Sequence, residues 1–213
     1  MTLRCALAFF FWLLASSSGF LEPAQATTVA PLDVEQLTDG ATWIVRGVVN
    51  KSWTELDDDG HVWTRHRLDV KRVFKGPSQP SQLIVDSYGG THGELQMHVW
   101  SAPRFSVGEE VLVFLDEVAE GRLTPLAMHL GKYTLRRAPG DSRQHVVRFQ
   151  VAPSQAYDAR FIPHPALDDR IYLDDLLETV EERMRAGWDG RKIPGLSAER
   201  LKTVNHLSRR NLQ

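Results

Sequence analysis

Pro103-Arg104-Phe105-Ser106-Val107-Gly108-Glu109-Glu110-Val111-Leu112-Val113-Phe114-Leu115 decides how the rest of the chain is read. A polar lead-in punctuated by Pro103 and Gly108 delivers an unbroken apolar run, Val111 to Leu115. A run that short, β-branched and aromatic, and bounded by turn residues, predicts a strand buried on both faces. Shorter strands are expected around it. Trp43 to Val49 reads as the first, with Gly47 marking a bulge or bend. His61 to Phe74 alternates, with Val62, Thr64, His66, Leu68 and Val70 on one face and charged residues mostly opposite. Leu83 to Asp86 is a third strand. Leu95, Met97 and Val99 mark a fourth, or the walls of a loop. Arg122 to Leu126, Gly131 to Arg136 and His145 to Val151 complete the set. Strands at short, regular spacing predict an antiparallel barrel or sandwich.

Both ends of the chain differ from this middle. Arg4, the apolar stretch Cys5 to Ala15, Ser16 to Ser18 and the A-x-A site Ala24-Gln25-Ala26 have the layout of a secretory signal peptide over 1–26. Cleavage after Ala26 is expected, giving an exported protein, periplasmic or extracellular, that begins at Thr27. Cys5 is the chain's one cysteine, so the exported part would have no disulfide, thiolate nucleophile or cysteine-held zinc. The β-domain is expected over 27–151, and a linker with a helical extension over 152–213. Near the start, Leu32 to Asp39 suits a short helix capped by Asp33. Leu167 to Arg185 carries an apolar helical stripe that includes Leu173, Leu176, Leu177, Val180 and Met184, and a second helix should begin near Ser197. Such a stripe is expected to dock on its own domain. Past the leader no segment is apolar for long enough to span a membrane. The formal net charge of −2 shows no bias toward nucleic acid.

Signatures of chemistry are sparse. His61 and His66 would point to opposite faces of one strand, and His129, His145 and His164 have no partner at metal-ligand spacing. Asp57-Asp58-Asp59-Gly60 lacks the spacing of a calcium loop and reads as a solvated hairpin turn. There is no nucleophile elbow, and Gly89-Gly90-x-x-Gly93 lacks the Lys and helix of a phosphate loop. Glu109 and Glu110 are consecutive strand residues that face apart, so they form no acid–base pair. Trp53, Trp63 and Trp100 suit the core or a stacking surface. The loop-rich segment from Tyr88 to Trp100 is the expected partner surface, with Tyr88, His92 and Trp100 as its binding residues. A metal-dependent hydrolase using His92, His98 and Asp86 or Glu94 is the competing class. A structural component of the cell envelope is a third.

Trp43 to Val49, Val73-Phe74-Lys75-Gly76, Phe105 to Leu115 and Gly131-Lys132-Tyr133 together carry a resemblance. Over Thr42 to Arg137 the chain resembles a family of uncharacterised secreted bacterial domains. Their layout is similar to the OB-like barrel of tissue inhibitors of metalloproteinases and netrin modules. The resemblance implies a closed or partly closed β-barrel and a non-enzymatic role; with the helical stripe beyond it, the expected fold is mainly β, an antiparallel OB-like β-barrel with a C-terminal α-helical extension. Those inhibitors chelate a protease zinc through an N-terminal cysteine, which Thr27 cannot supply, so no inhibitory residue carries over. The expectation is a binding or accessory module for a secreted protein partner, with no catalytic residue, metal or cofactor.

Overall fold

Val111 to Leu115 lies in the core of the computed structural model, which describes residues 32–118, 121–148 and 171–202. The expected leader, the linker with His164 and the end of the C-terminal extension lie outside the described residues. The chain opens with helix α1 (Val34–Gly40). Its Asp33 cap accepts from the Gln36 amide at 2.7 Å while the Gln36 side chain accepts from the Asp33 amide, a reciprocal capping box. Strands β1 (Trp43–Leu56), β2 (Val62–Lys75) and β3 (Gln82–Tyr88) follow as an antiparallel meander. The small β4 (Gly90–His92) and β5 (Leu95–Met97) make a separate hairpin. Next come β6 (Glu110–Glu117), β7 (Leu123–Pro125), a 3-10 turn (Met128–Gly131), β8 (Lys132–Arg137) and β9 (Gln144–Arg148). The described chain closes with β10 (Ile171–Tyr172), helix α2 (Leu173–Ala186) and a helical stretch beginning at 198.

The fold is mainly β and antiparallel, and the main sheet runs β10-β9-β8-β6-β1-β2-β3, with β7 also paired to β6. β6 lies at its heart. Every residue from Val111 to Leu115 is fully buried, as the apolar run predicts, and each such side chain contributes roughly 1.5–3 kcal/mol by leaving water. The period of two divides them. Val111, Val113 and Leu115 join Val45, Val49, Leu68 and Val85 on one face, while Leu112 and Phe114 join Ile44, Tyr133 and Val146 on the other. The second face is covered by α1 and α2, whose Leu37, Leu176, Val180 and Met184 enter the same cluster. The apolar stripe of α2 therefore docks on its own sheet.

Curvature has a local cause. Register shifts interrupt the β1–β2 pairing on either side of Arg46 and again after Val49. At Gly47 a side chain would meet the Asp69 carbonyl oxygen at 2.8 Å, so only glycine lets β2 cross so closely. The strands curl until β3 lies beside β7, where Arg122 approaches Asp86 at 3.7 Å. Hydrogen-bonded pairing does not continue across that junction among the described residues. The sheet is thus not closed into a barrel, where a closed or partly closed one is expected. The strand β7 is too short, and too near its Pro125, which lacks an N–H, to zip the seam.

A candidate binding cleft at the open seam

A cleft of about 440 Å³ fills the open seam. The β1–β2 turn supplies Asp57 and Asp59, β2 supplies Trp63, and the end of β3 supplies Asp86, Ser87 and Tyr88. Ala102 and Pro103, then Val118, Arg122, Thr124, Pro125 and Met128, close the other sides. Alternation along the strands explains the split between wall and core. Val62, His66, Leu68 and Val85 turn inward, so Trp63, Asp86 and Tyr88 turn outward.

The outward residues interlock. The Trp63 and Tyr88 rings meet edge to face with centroids 4.8 Å apart, and the Arg122 guanidinium lies 5.1 Å from the Trp63 ring. The Trp63 indole N–H donates to Asp57 at 2.9 Å. That bond is the largest of the effects holding the Asp57 carboxyl down to about 2, so it stays ionised at any ordinary pH. Asp86 forms the floor, its side chain almost wholly buried between Arg65 Nε at 3.1 Å and Arg122. Burial pushes the Asp86 carboxyl above its usual range and outweighs the pull of Arg65 and Arg122. Beside the cleft the backbone is strained. Ala127 and Met128 both take left-handed conformations, φ 51° and 59°, which cost about 1–3 kcal/mol each and gather at functional sites.

Behind Ser87 runs a buried polar chain. His66 bonds Ser52 Oγ through Nδ1 at 2.8 Å and Ser87 Oγ through Nε2 at 3.0 Å, with Phe105 stacked at 4.4 Å. Burial, then the nearby Lys132, holds the His66 imidazole down to about 4. A hydroxyl stands behind Nδ1 where a nucleophilic triad needs a carboxylate, and burial and Lys132 outweigh the pull of Glu109 toward an imidazolium. The chain's evident work is to tie β1, β2 and β3 together. Lys132 itself bonds Glu109 at 2.7 Å, whereas Glu110 pairs with Arg46. The two glutamates do face apart, as their adjacency predicts.

The three residues read from sequence as a partner surface separate. Tyr88 lines the cleft. His92 lies on β4 with Nδ1 3.2 Å from the Thr54 carbonyl oxygen, and Trp100 stands 83% exposed, packed edge to face on His98 at 4.9 Å. His92 and His98 do not gather with Asp86 or Glu94. Among the described residues the cluster with metal-ligand proximity is Asp57, Asp59 and His61, with ligand atoms within 4.8 Å of one another. Asp57 there already accepts from the Asp59 and His61 amides at 3.1 and 2.8 Å and from Trp63, which makes the segment a self-satisfied turn. Sequence reasoning missed Arg122, Pro125 and Met128. They carry no motif, and only the curl of the sheet brings them to Trp63. Compared with models of known protein families and with curated proteins, the chain matches none.

Proposed function

We propose that this chain is an exported binding module on an OB-like barrel, and that the open seam is its ligand site. The ring β1-β2-β3-β7-β6 supports the barrel reading. β1 pairs with both β2 and β6, β7 pairs with β6, and only the β3–β7 junction lacks a ladder. Five strands in a partly open barrel is the OB arrangement, which binds through its second and third strands and the loops flanking its ends. The carrying observation is that the cleft draws on β2, β3, the β1–β2 turn and the segment around Arg122 at once. Its walls are aromatic and apolar with a few fixed charges, the make-up of a ligand site. The reading is non-enzymatic binding of a secreted protein partner. Of the three residues expected from sequence, Tyr88 is central to it, while His92 and Trp100 lie outside the cleft.

Selection of displayed short peptides on the immobilised chain tests this. Enriched sequences should lose binding roughly tenfold or more on Trp63→Ala or on the cleft-filling Thr124→Trp, and keep it on His92→Ala and Trp100→Ala. Loss on the last two with retention on the first two would move the site to the β4–β5 hairpin and the turn after it. Failure to enrich any sequence would count against peptide binding altogether.

A further inference from the structure

Resting on that reading of the cleft, we infer that its ligand is an extended peptide segment in which an aromatic or large apolar residue is flanked by Lys or Arg. Three features of the seam point to that chemistry.

Main-chain register is the first. Gly89 N–H donates to the Val62 carbonyl at 2.8 Å and Val70 N–H to the Ser81 carbonyl at 2.9 Å. In an antiparallel ladder the pairs that exchange hydrogen bonds alternate. The pairs Thr64 with Ser87 and His66 with Val85 therefore bond inward between β2 and β3. The N–H and C=O groups of Asp86 and Tyr88 point the other way; Asp86 is buried, so those of the partly exposed Tyr88, at the end of β3, are the ones a ligand can reach. Such edge groups suit the backbone of an extended peptide, which supplies matching donors and acceptors. A compact apolar molecule would leave them unmatched.

Apolar shape is the second. Trp63, Tyr88, Pro103, Pro125 and Met128 face one space. Rigid rings and a flexible thioether accept a bulky side chain at low entropic cost.

Charge is the third. Asp57, Asp59 and Asp86 line the cleft; Asp86 is matched by Arg65 and Arg122, which leaves the negative charge at Asp57 and Asp59. Asp59 is exposed at the rim, and the sequence places Asp58 beside it. The excess of carboxylate repels nucleic acid and acidic segments and attracts a cation next to the apolar anchor.

The test is fluorescence anisotropy of the purified full chain with three labelled peptides. One carries Phe or Trp between Lys and Arg residues, one has Glu in their place, and one has the basic sequence N-methylated along its backbone. The basic peptide should bind at least about tenfold more tightly than the acidic one, with the gap narrowing as salt rises. N-methylation should weaken it by a similar factor. Asp59 is the rim position to alter, because Asp57 holds the turn together. Asp59→Lys should weaken the basic peptide about threefold to tenfold at low salt while leaving Tm within a few degrees, and Asp59→Asn should lie between. Equal binding of acidic and basic peptides, or indifference to Asp59→Lys, overturns the charge assignment while leaving the cleft in place. Undiminished binding of the basic peptide to Thr124→Trp overturns the cleft itself. Displacement by a neutral oligosaccharide, with no preference among peptides, overturns the peptide class.

Discussion

Among the described residues two aspartates, Asp39 and Asp86, are buried against arginine, and their surroundings differ. Asp39, at the end of α1, is clasped by Arg183 of α2 through contacts of 2.6 to 3.0 Å, with both side chains nearly out of water. Arg183 is stabilised as the cation chiefly by that bond, and helices cover the pair. Asp86 is buried just as deeply, but it lies along an open cleft and not under helices. Arg65 also serves Glu55 at 3.0 Å, and Arg122 lies over Trp63 under an open cleft. The first pair joins α1 to α2 beneath the helices, although Arg183 also reaches the more exposed Asp189 at 3.1 Å. The second is a floor of fixed charge beneath an unfilled space. A buried ion pair alone does not mark a site; the space above it does.

The largest effect should come from breaking the closed pair. Asp39→Ala leaves the largely buried Arg183 with only the more exposed Asp189 as its carboxylate and should cost about 3 kcal/mol in denaturant unfolding, the low end for a broken buried pair. The folded remainder should bind peptide as the wild type does. If Asp39→Ala instead abolished binding at full stability, the division of labour between the two pairs would fail.

A pH effect comes next, from beneath the cleft floor. His66 is neutral when folded, with its pKa held to about 4 against an ordinary 6.5. The unfolded chain therefore takes up a proton before the folded one does. Stability from this residue is complete above about pH 6.5 and is lost progressively as pH falls toward 4, by up to about 3 kcal/mol. His66→Gln should flatten that slope in unfolding titrations across pH 4 to 7. An unchanged slope would show that other groups carry it.

Smaller in stability, and sharper for function, is the open pair. Burial already disfavours the charged Asp86, so the neutral isostere Asp86→Asn should cost only about 1–2 kcal/mol. It should nevertheless weaken peptide binding several-fold by freeing Arg122 from its place over Trp63. Equal and large losses of stability from Asp86→Asn and Asp39→Ala would erase the contrast. Smallest of all, Arg72→Ala removes an exposed pair with Glu181 and should move unfolding free energy by no more than about 0.5 kcal/mol.

The sequence shows the closed region better than the open one, and the reason is physical. Burial of β6, the Asp33 cap and the docking stripe of α2 follow from local periodicity, because each element must hide its own apolar residues. The bulge at Gly47 is legible too, since glycine inside a strand implies close approach. The cleft is built from segments that separately look ordinary. Asp57 to Asp59 reads as a turn, and is one; its second role appears only when Arg122 and Met128 arrive from the other side of the seam. Trp100, conspicuous in sequence, stands in the turn after β5 and is not among the residues that line the cleft. The open seam depends on how far a three-residue β7 can reach, a property of curvature that no local pattern encodes.

The most direct test of the central claim is to follow the tryptophan indole N–H resonances by heteronuclear NMR while the aromatic–basic peptide is added. The Trp63 indole, bonded to Asp57 in the cleft wall, should shift most and saturate, while the Trp100 indole stays in place. A saturating shift at Trp100 with Trp63 unmoved would contradict the assignment of the open seam as the binding site.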